Sequence, residues 1–299
     1  MLLKRTRGEK IFNVFNIIFF CLFTIAMLVP VLYVLKISFE TGGFGELSIS
    51  LIPQEPSTMF YKMVLQDKSI WRPFLNSVFI TVVGTVLSLF VNAMGAYTLS
   101  KRDLKGVNFF VYYLVVIPML FSGGLIPSYL LIRELGLMDS LAALIIPALA
   151  SGWNMILIRN YYWSIPSSLI ESARIDGAEE FTVFTKVILP LATPVLAAIG
   201  LFTGVGFWNT FFSAVIYIND PSKYTFTVKL REMIAVQQDL QKQFEKMAMD
   251  SGEDLLLANL TQEGLSSAIM IISLIPIIIV YPFLQKYFVT GLMVGSIKG

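Results

Sequence analysis

The chain has 299 residues and a net charge of +2; 56% of its residues are hydrophobic and only 14% charged, at a mean hydropathy of +0.74. A water-soluble domain carries about a quarter charged residues, so this apolar excess has to be solvated by lipid, and the near-neutral balance suggests no nucleic-acid partner. Histidine is absent and the single cysteine, Cys21, lies inside an apolar run, which removes the commonest metal ligand, the usual proton shuttle and any internal disulfide.

Six long apolar runs follow in order: roughly 11–35, 74–99, 109–132, 141–158, 187–218 and 265–287. About 20 apolar residues cross a bilayer core, and each run is long enough or nearly so. The first exceeds a signal-peptide core and is followed by no evident cleavage site, so it is read as retained. The fold expected is therefore all-α, a polytopic membrane protein of about six transmembrane helices.

Lysines and arginines set the orientation. The amino terminus, the 101–106 loop, the 159–186 loop and the carboxyl terminus would share one face, with twelve basic residues against six acidic ones. The short segments Lys4–Lys10 and Lys101–Lys105 are strongly basic, which places both termini in the cytoplasm. The spans themselves carry almost no ionisable groups; Asn76, Asn92, Asn154 and Asn209 are their main polar residues. Ion-coupled carriers often keep carboxylates or histidines at mid-membrane depth, so a secondary carrier is disfavoured. A membrane-embedded enzyme is disfavoured too, for want of a convergent nucleophile, metal or acid–base set.

Two external segments exceed a turn: Ser38 to Arg72, and Asn219 to Glu263. In the second, Leu230, Met233, Ile234, Leu240, Phe244 and Met247 recur at near-helical spacing. Gln237, Gln238, Asp239, Gln241, Lys242 and Glu245 fill the other face, which predicts an amphipathic helix.

The most informative stretch runs from Ser164 to Pro190. It reads as a short helix opening near Pro166 and closing at Gly177. A second short helix carries Phe181 and Phe184 on one side, and Pro190 opens the next run. Two small helices meeting at an apex of small residues make a knob able to seat in a groove of another protein.

These residues resemble the EAA loop of binding-protein-dependent importer permeases. The family pattern is Glu-Ala-Ala, three residues, Gly, nine residues, then Ile-x-Leu-Pro. The chain offers Glu171-Ser172-Ala173, Gly177 and Val187-Ile188-Leu189-Pro190 at matching spacing, with Ser172 and Val187 as conservative departures. The likeness covers most of residues 70–299. Asn76-Ser77, Ile126-Pro127, Leu135-Gly136-Leu137 with Asp139, Phe207-Trp208-Asn209 and the closing stretch Gly291 to Gly299 look like the carbohydrate-importer permeases. They are similar to the subunit corresponding to the smaller maltose permease, and the run Phe121 to Pro127 with the extended 219–263 loop looks closest to a branch associated with larger oligosaccharides.

That resemblance implies residues 1–73 as an amino-terminal tail, first span and external loop, and residues 74–299 as an importer transmembrane domain. Within it, 164–190 would be the cytoplasmic coupling loop and 219–263 an external loop. Glu171, Ser172, Ala173, Arg174, Asp176 and Gly177 would form the surface that docks on a cytoplasmic ATPase, while Glu179 and Glu180 are read as mostly solvated. Trp208 and Asn209 are offered for the substrate path, through ring stacking and amide hydrogen bonds, against a reading of Trp208 as an interfacial anchor. The partners implied are a second homologous permease, an ATPase dimer, an extracellular or periplasmic solute-binding protein, the lipid bilayer and a sugar or oligosaccharide. No cofactor is implied for the chain itself, because ATP and Mg²⁺ are used by the ATPase. A permease for peptides, amino acids or phosphate would share the same knob.

Overall fold

The computed structural model describes residues 6–40, 52–53, 55–101, 104–236, 239 and 256–291. In chain order its helices are α1 Arg7–Ser38, α2 Met59–Gln66 and α3 Trp71–Ser100. Next come α4 Val107–Leu120, α5 Leu125–Glu134, α6 Ala142–Ala148 and α7 Gly152–Tyr162. After α8 Ser167–Ile175 follow α9 Glu180–Leu191, α10 Thr193–Trp208 and α11 Phe212–Tyr217. The last two are α12, over 226–236, and α13 Leu256–Gly291. Among the described residues all regular structure is helical, apart from one isolated bridge between Glu40 and Pro56.

The six apolar runs are accounted for element by element. Helices α1, α3 and α13 are each long and apolar enough to cross a membrane, and the pairs α4–α5, α6–α7 and α9–α10 qualify as three more crossings if each bent pair is one span. The predicted amphipathic helix at 230–247 is helical as far as residue 236; most of the remainder lies outside the described residues, as does the closing stretch 292–299. Within the segment 38–72 the chain forms α2, an element that sequence periodicity alone did not separate from a loop.

The chain divides into two units, Met1–Lys68 with Glu232–Leu274 and Ser69–Arg231 with Ile275–Gly299. In the first, Thr6 caps α1 in a reciprocal capping box with Glu9. Near the end of α1, Ser38 and Tyr61 share a 2.6 Å hydrogen bond.

The second unit is organised on α3, against which α7 and α10 pack. Buried positions along α3 recur at three- and four-residue steps and, apart from Ile80, are small or polar: Ser77, Ile80, Gly84, Ser88, Asn92 and Ala96. Leu75, Phe79, Val82, Val86 and Phe90 are exposed. This inverts the pattern of a soluble helix, because lipid is as apolar as leucine and small residues let helices approach. At Gly84 the approach is closest: a Cβ there would lie 2.7 Å from Cζ of Phe207 on α10.

The bent pairs expose backbone groups that lipid cannot satisfy. Between α6 and α7, bent by 47°, fully buried Asn92 of α3 supplies the missing partners. Its amide nitrogen donates to the Leu149 carbonyl at 2.8 Å, and its oxygen accepts from the Ser151 N–H at 2.9 Å. The Ser88 hydroxyl donates to the same carbonyl at 3.0 Å. Between α9 and α10, bent by 78°, Pro194 lacks the N–H that would reach the Pro190 carbonyl. The Thr193 hydroxyl donates there instead, at 2.8 Å.

Replacing Asn92 by Leu keeps the branched shape but leaves the part-buried Ser151 N–H without its acceptor, which costs about 1–3 kcal/mol. Thermal denaturation of the purified protein in detergent is expected to show Asn92→Leu melting below wild type, with Ser88→Ala milder.

Candidate functional site

The 164–190 segment is a helical hairpin whose turn is fixed by backbone hydrogen bonds. Helix α8 starts after Pro166 and ends at Asp176. Gly177 then takes φ +80°, the left-handed conformation that glycine adopts without a Cβ penalty. Its N–H donates to the Arg174 carbonyl at 3.0 Å, and the Ala178 N–H donates to the Ala173 carbonyl at 2.9 Å. This is a Schellman cap. The same pair of bonds ends α5 at Gly136.

The cap decides which side chains face outward. Ala173 and Ala178 pack onto an apolar cluster of Ala96, Ile158, Tyr162, Val183, Ile188, Ala192 and Ile199. Glu171, Ser172, Arg174, Asp176 and Gly177 are exposed, whereas Ala173 is half-buried. The structure therefore leaves five of the six sequence-selected residues exposed and packs Ala173 onto that cluster. It adds Ile175, which is 86% exposed. It is an apolar side chain among the exposed polar ones of the hairpin. Its outward aim follows from the cap geometry and is invisible in the sequence. Of the two hairpin phenylalanines, Phe184 is buried and Phe181 exposed.

Two residues expected otherwise are tied down. Arg174 donates to Glu180 Oε1 across the turn at 2.8 Å. Glu180, read from the sequence as mostly solvated, also pairs with Lys101 and accepts a hydrogen bond from the Tyr97 hydroxyl at 2.7 Å. Residue 101 and the hairpin thus lie at the same end of the second unit. At that end Arg159 Nε donates to the Leu99 carbonyl at 2.8 Å and Trp163 Nε1 to the Ser100 carbonyl at 2.9 Å. Both satisfy carbonyls that the end of α3 leaves open.

The substrate-path residues sit elsewhere on this unit. Trp208 is buried and spends its ring on neighbours, at 5.9 Å edge-on to Phe74 and 5.9 Å from Phe226. It is placed neither as an exposed stacking platform nor as an interfacial anchor. Asn209 is exposed. Around it, the 219–226 segment is clipped back. Asn76 donates to the carbonyls of Ser222 and Tyr224, both at 3.0 Å, and Ser77 accepts the Phe226 N–H at 2.8 Å.

Asp139 is the centre of that clip. It takes φ +56°, a conformation that Asp tolerates better than most residues. Its carboxylate accepts the N–H groups of Asp220 at 2.9 Å and Asn219 at 3.0 Å, with Lys223 Nζ at 3.3 Å. These contacts, the Asp220 amide foremost, hold its carboxyl below the usual carboxylate range. A depressed folded-state pKa contributes stability above the unfolded pKa, and that stability is lost as pH falls through the folded value. Asp139→Asn is therefore expected to melt below wild type at neutral pH, the gap closing in acid as the wild-type carboxyl protonates. Thermal melts across a pH series check both the sign and the convergence.

Comparison with known proteins adds three findings. A family model described as the inner membrane component of binding-protein-dependent transport systems matches residues 2–294. The polygalacturonan/rhamnogalacturonan transport system permease protein YtcP of Bacillus subtilis (strain 168) is 37% identical over 292 residues, 97% of this chain and 99% of that protein. Protein LplC of the same organism is 39% identical over 298 residues, 99% of this chain and 98% of that one. Among solved structures, a bacterial ABC transporter involved in the import of the acidic polysaccharide alginate has a similar chain. The two share a TM-score of 0.81 and 34% identity, over 95% of this chain and 99% of that chain.

Proposed function

Because the chain belongs to the family of binding-protein-dependent transport system inner membrane components, we propose that it translocates an oligosaccharide across the cell membrane, by alternating access driven by a separate ATPase. The observation that carries this reading is the exposed tip of the 164–190 hairpin, with apolar Ile175 set among Glu171, Ser172 and Asp176. A rigid knob of mixed character, held by an internal cap and lacking a cover of its own, is shaped to fill a cleft on another protein.

In this reading both termini and the hairpin face the cytoplasm, and residues 74–299 form the importer's transmembrane domain. Glu171, Ser172, Ile175, Asp176 and Gly177 touch the ATPase. Ala173 positions them from beneath, and Arg174 is shared with Glu180. ATP and Mg²⁺ are used by the ATPase, whose closure rocks this subunit against a second, homologous permease. A solute-binding protein delivers the sugar at the external end, where the 219–263 loop lies. Oligosaccharide as the substrate class is supported by the relatives, which transport pectic polymers and alginate by their descriptions. It also fits spans that carry almost no ionisable groups. Asn209 remains a path residue, while Trp208 is assigned to packing.

The test is the assembled complex with its binding protein. Gly177→Asp, which puts a charged Cβ-bearing residue into a left-handed turn, is expected to abolish substrate-stimulated ATP hydrolysis while membrane insertion stays intact. Ile175→Asp is expected to reduce co-purification of the ATPase. Wild-type stimulation in Gly177→Asp would remove the docking assignment. Uptake of a labelled peptide but no oligosaccharide by proteoliposomes holding the complex would remove the sugar assignment.

A further inference from the structure

One carboxylate joins three elements at the base of the hairpin. Glu180 opens α9, Arg174 belongs to α8, and Tyr97 with Lys101 marks the last turn and end of α3. Glu180 Oε2 accepts the Tyr97 hydroxyl at 2.7 Å and pairs with Lys101, while Oε1 takes Arg174 at 2.8 Å. The parts brace one another: the Lys101 ammonium lies 4.6 Å from the Tyr97 ring centroid, and that ring lies 5.2 Å from Phe184.

Stability alone does not explain this arrangement. The Glu180 side chain is 54% exposed and Arg174 45%, so water screens that pair and its net gain is small; Lys101, at 21%, is the more sheltered partner. What the cluster supplies is register. The apolar cluster beneath it, which includes Ala96, Val183 and Ile188, is held by non-directional contacts that let a hairpin slide or tilt. A carboxylate holding three donors at fixed angles does not. The element so fixed is the one on which α7 and α10 pack, and whose Asn92 closes the α6–α7 break.

We propose that Glu180 is a positioning residue that locks the hairpin to the end of α3, so that a push on the hairpin tip moves α3 instead of bending the loop. The proposal rests on the docking reading above, since it concerns how a force received at the tip leaves it. Glu180 touches no substrate and needs no direct contact with the ATPase.

The test uses the whole complex in proteoliposomes, with Glu180→Gln, Lys101→Glu, Tyr97→Phe and the conservative Glu180→Asp. In Glu180→Gln and Lys101→Glu, ATPase co-purification and basal hydrolysis are expected to match wild type. Uptake per ATP hydrolysed falls on the order of tenfold, within the range of one coupling interaction. Tyr97→Phe, which loses one of three donors, falls less. Glu180→Asp, which keeps a carboxylate for the same donors, retains more uptake per ATP than Glu180→Gln, a graded response that a merely structural defect would not give. Unchanged uptake per ATP in both Glu180→Gln and Lys101→Glu overturns the proposal. Loss of the ATPase in those variants also overturns it, by making Glu180 and Lys101 docking contacts, and leaves the docking reading standing. If wild type itself retains no ATPase, the docking reading falls and this one with it.

Discussion

A helix interrupted inside a bilayer leaves peptide groups that only other protein atoms can satisfy, and the organisation of this chain follows from where it finds them. Asn92 meets the requirement at the α6–α7 break with both ends of its amide at once. That double contact fixes α7 to α3, so the helix that leads into the hairpin is held by a buried hydrogen-bonded joint. The end of α3 is closed in turn by Arg159 and Trp163. One set of backbone debts thus welds α3, α7 and the hairpin base into a single piece.

On that piece the hairpin presents a surface whose shape is set by main-chain bonds. The Gly177 cap directs Ala173 and Ala178 inward and leaves the acidic and aliphatic groups outward. The separation matters for an importer subunit: the residues that orient the knob are distinct from those left exposed on it. Glu180 belongs to the first group, though its charge and exposure give it the look of the second.

Much of this was legible in the sequence. The apolar runs located the three helices long enough to cross alone and the three bent pairs, because bilayer thickness dictates their length regardless of tertiary contacts. Pro166 and Gly177 bracketed α8 because both act locally on φ. What escaped was what depends on approach in space. Asn92 finds its partners 57 and 59 positions away, and Glu180 finds Tyr97 83 positions away. No periodicity encodes such pairings. Helix α2 was missed because eight residues are too few to show a period against the surrounding loop. For Trp208 the sequence left a substrate-path and an anchoring reading open, since its ring contacts with Phe74 and Phe226 depend on positions distant in the chain.

The contact between Gly84 and Phe207 carries an implication for how such a chain can change over time. With a hypothetical Cβ only 2.7 Å from the ring, the two positions share one volume, and neither can drift without the other. A larger residue at 84 is admissible only in a lineage where 207 has already shrunk, and the intermediate with a small residue at both leaves a void in the seam. Positions 84 and 207 should therefore covary across relatives as a linked pair, each a historical contingency of the other.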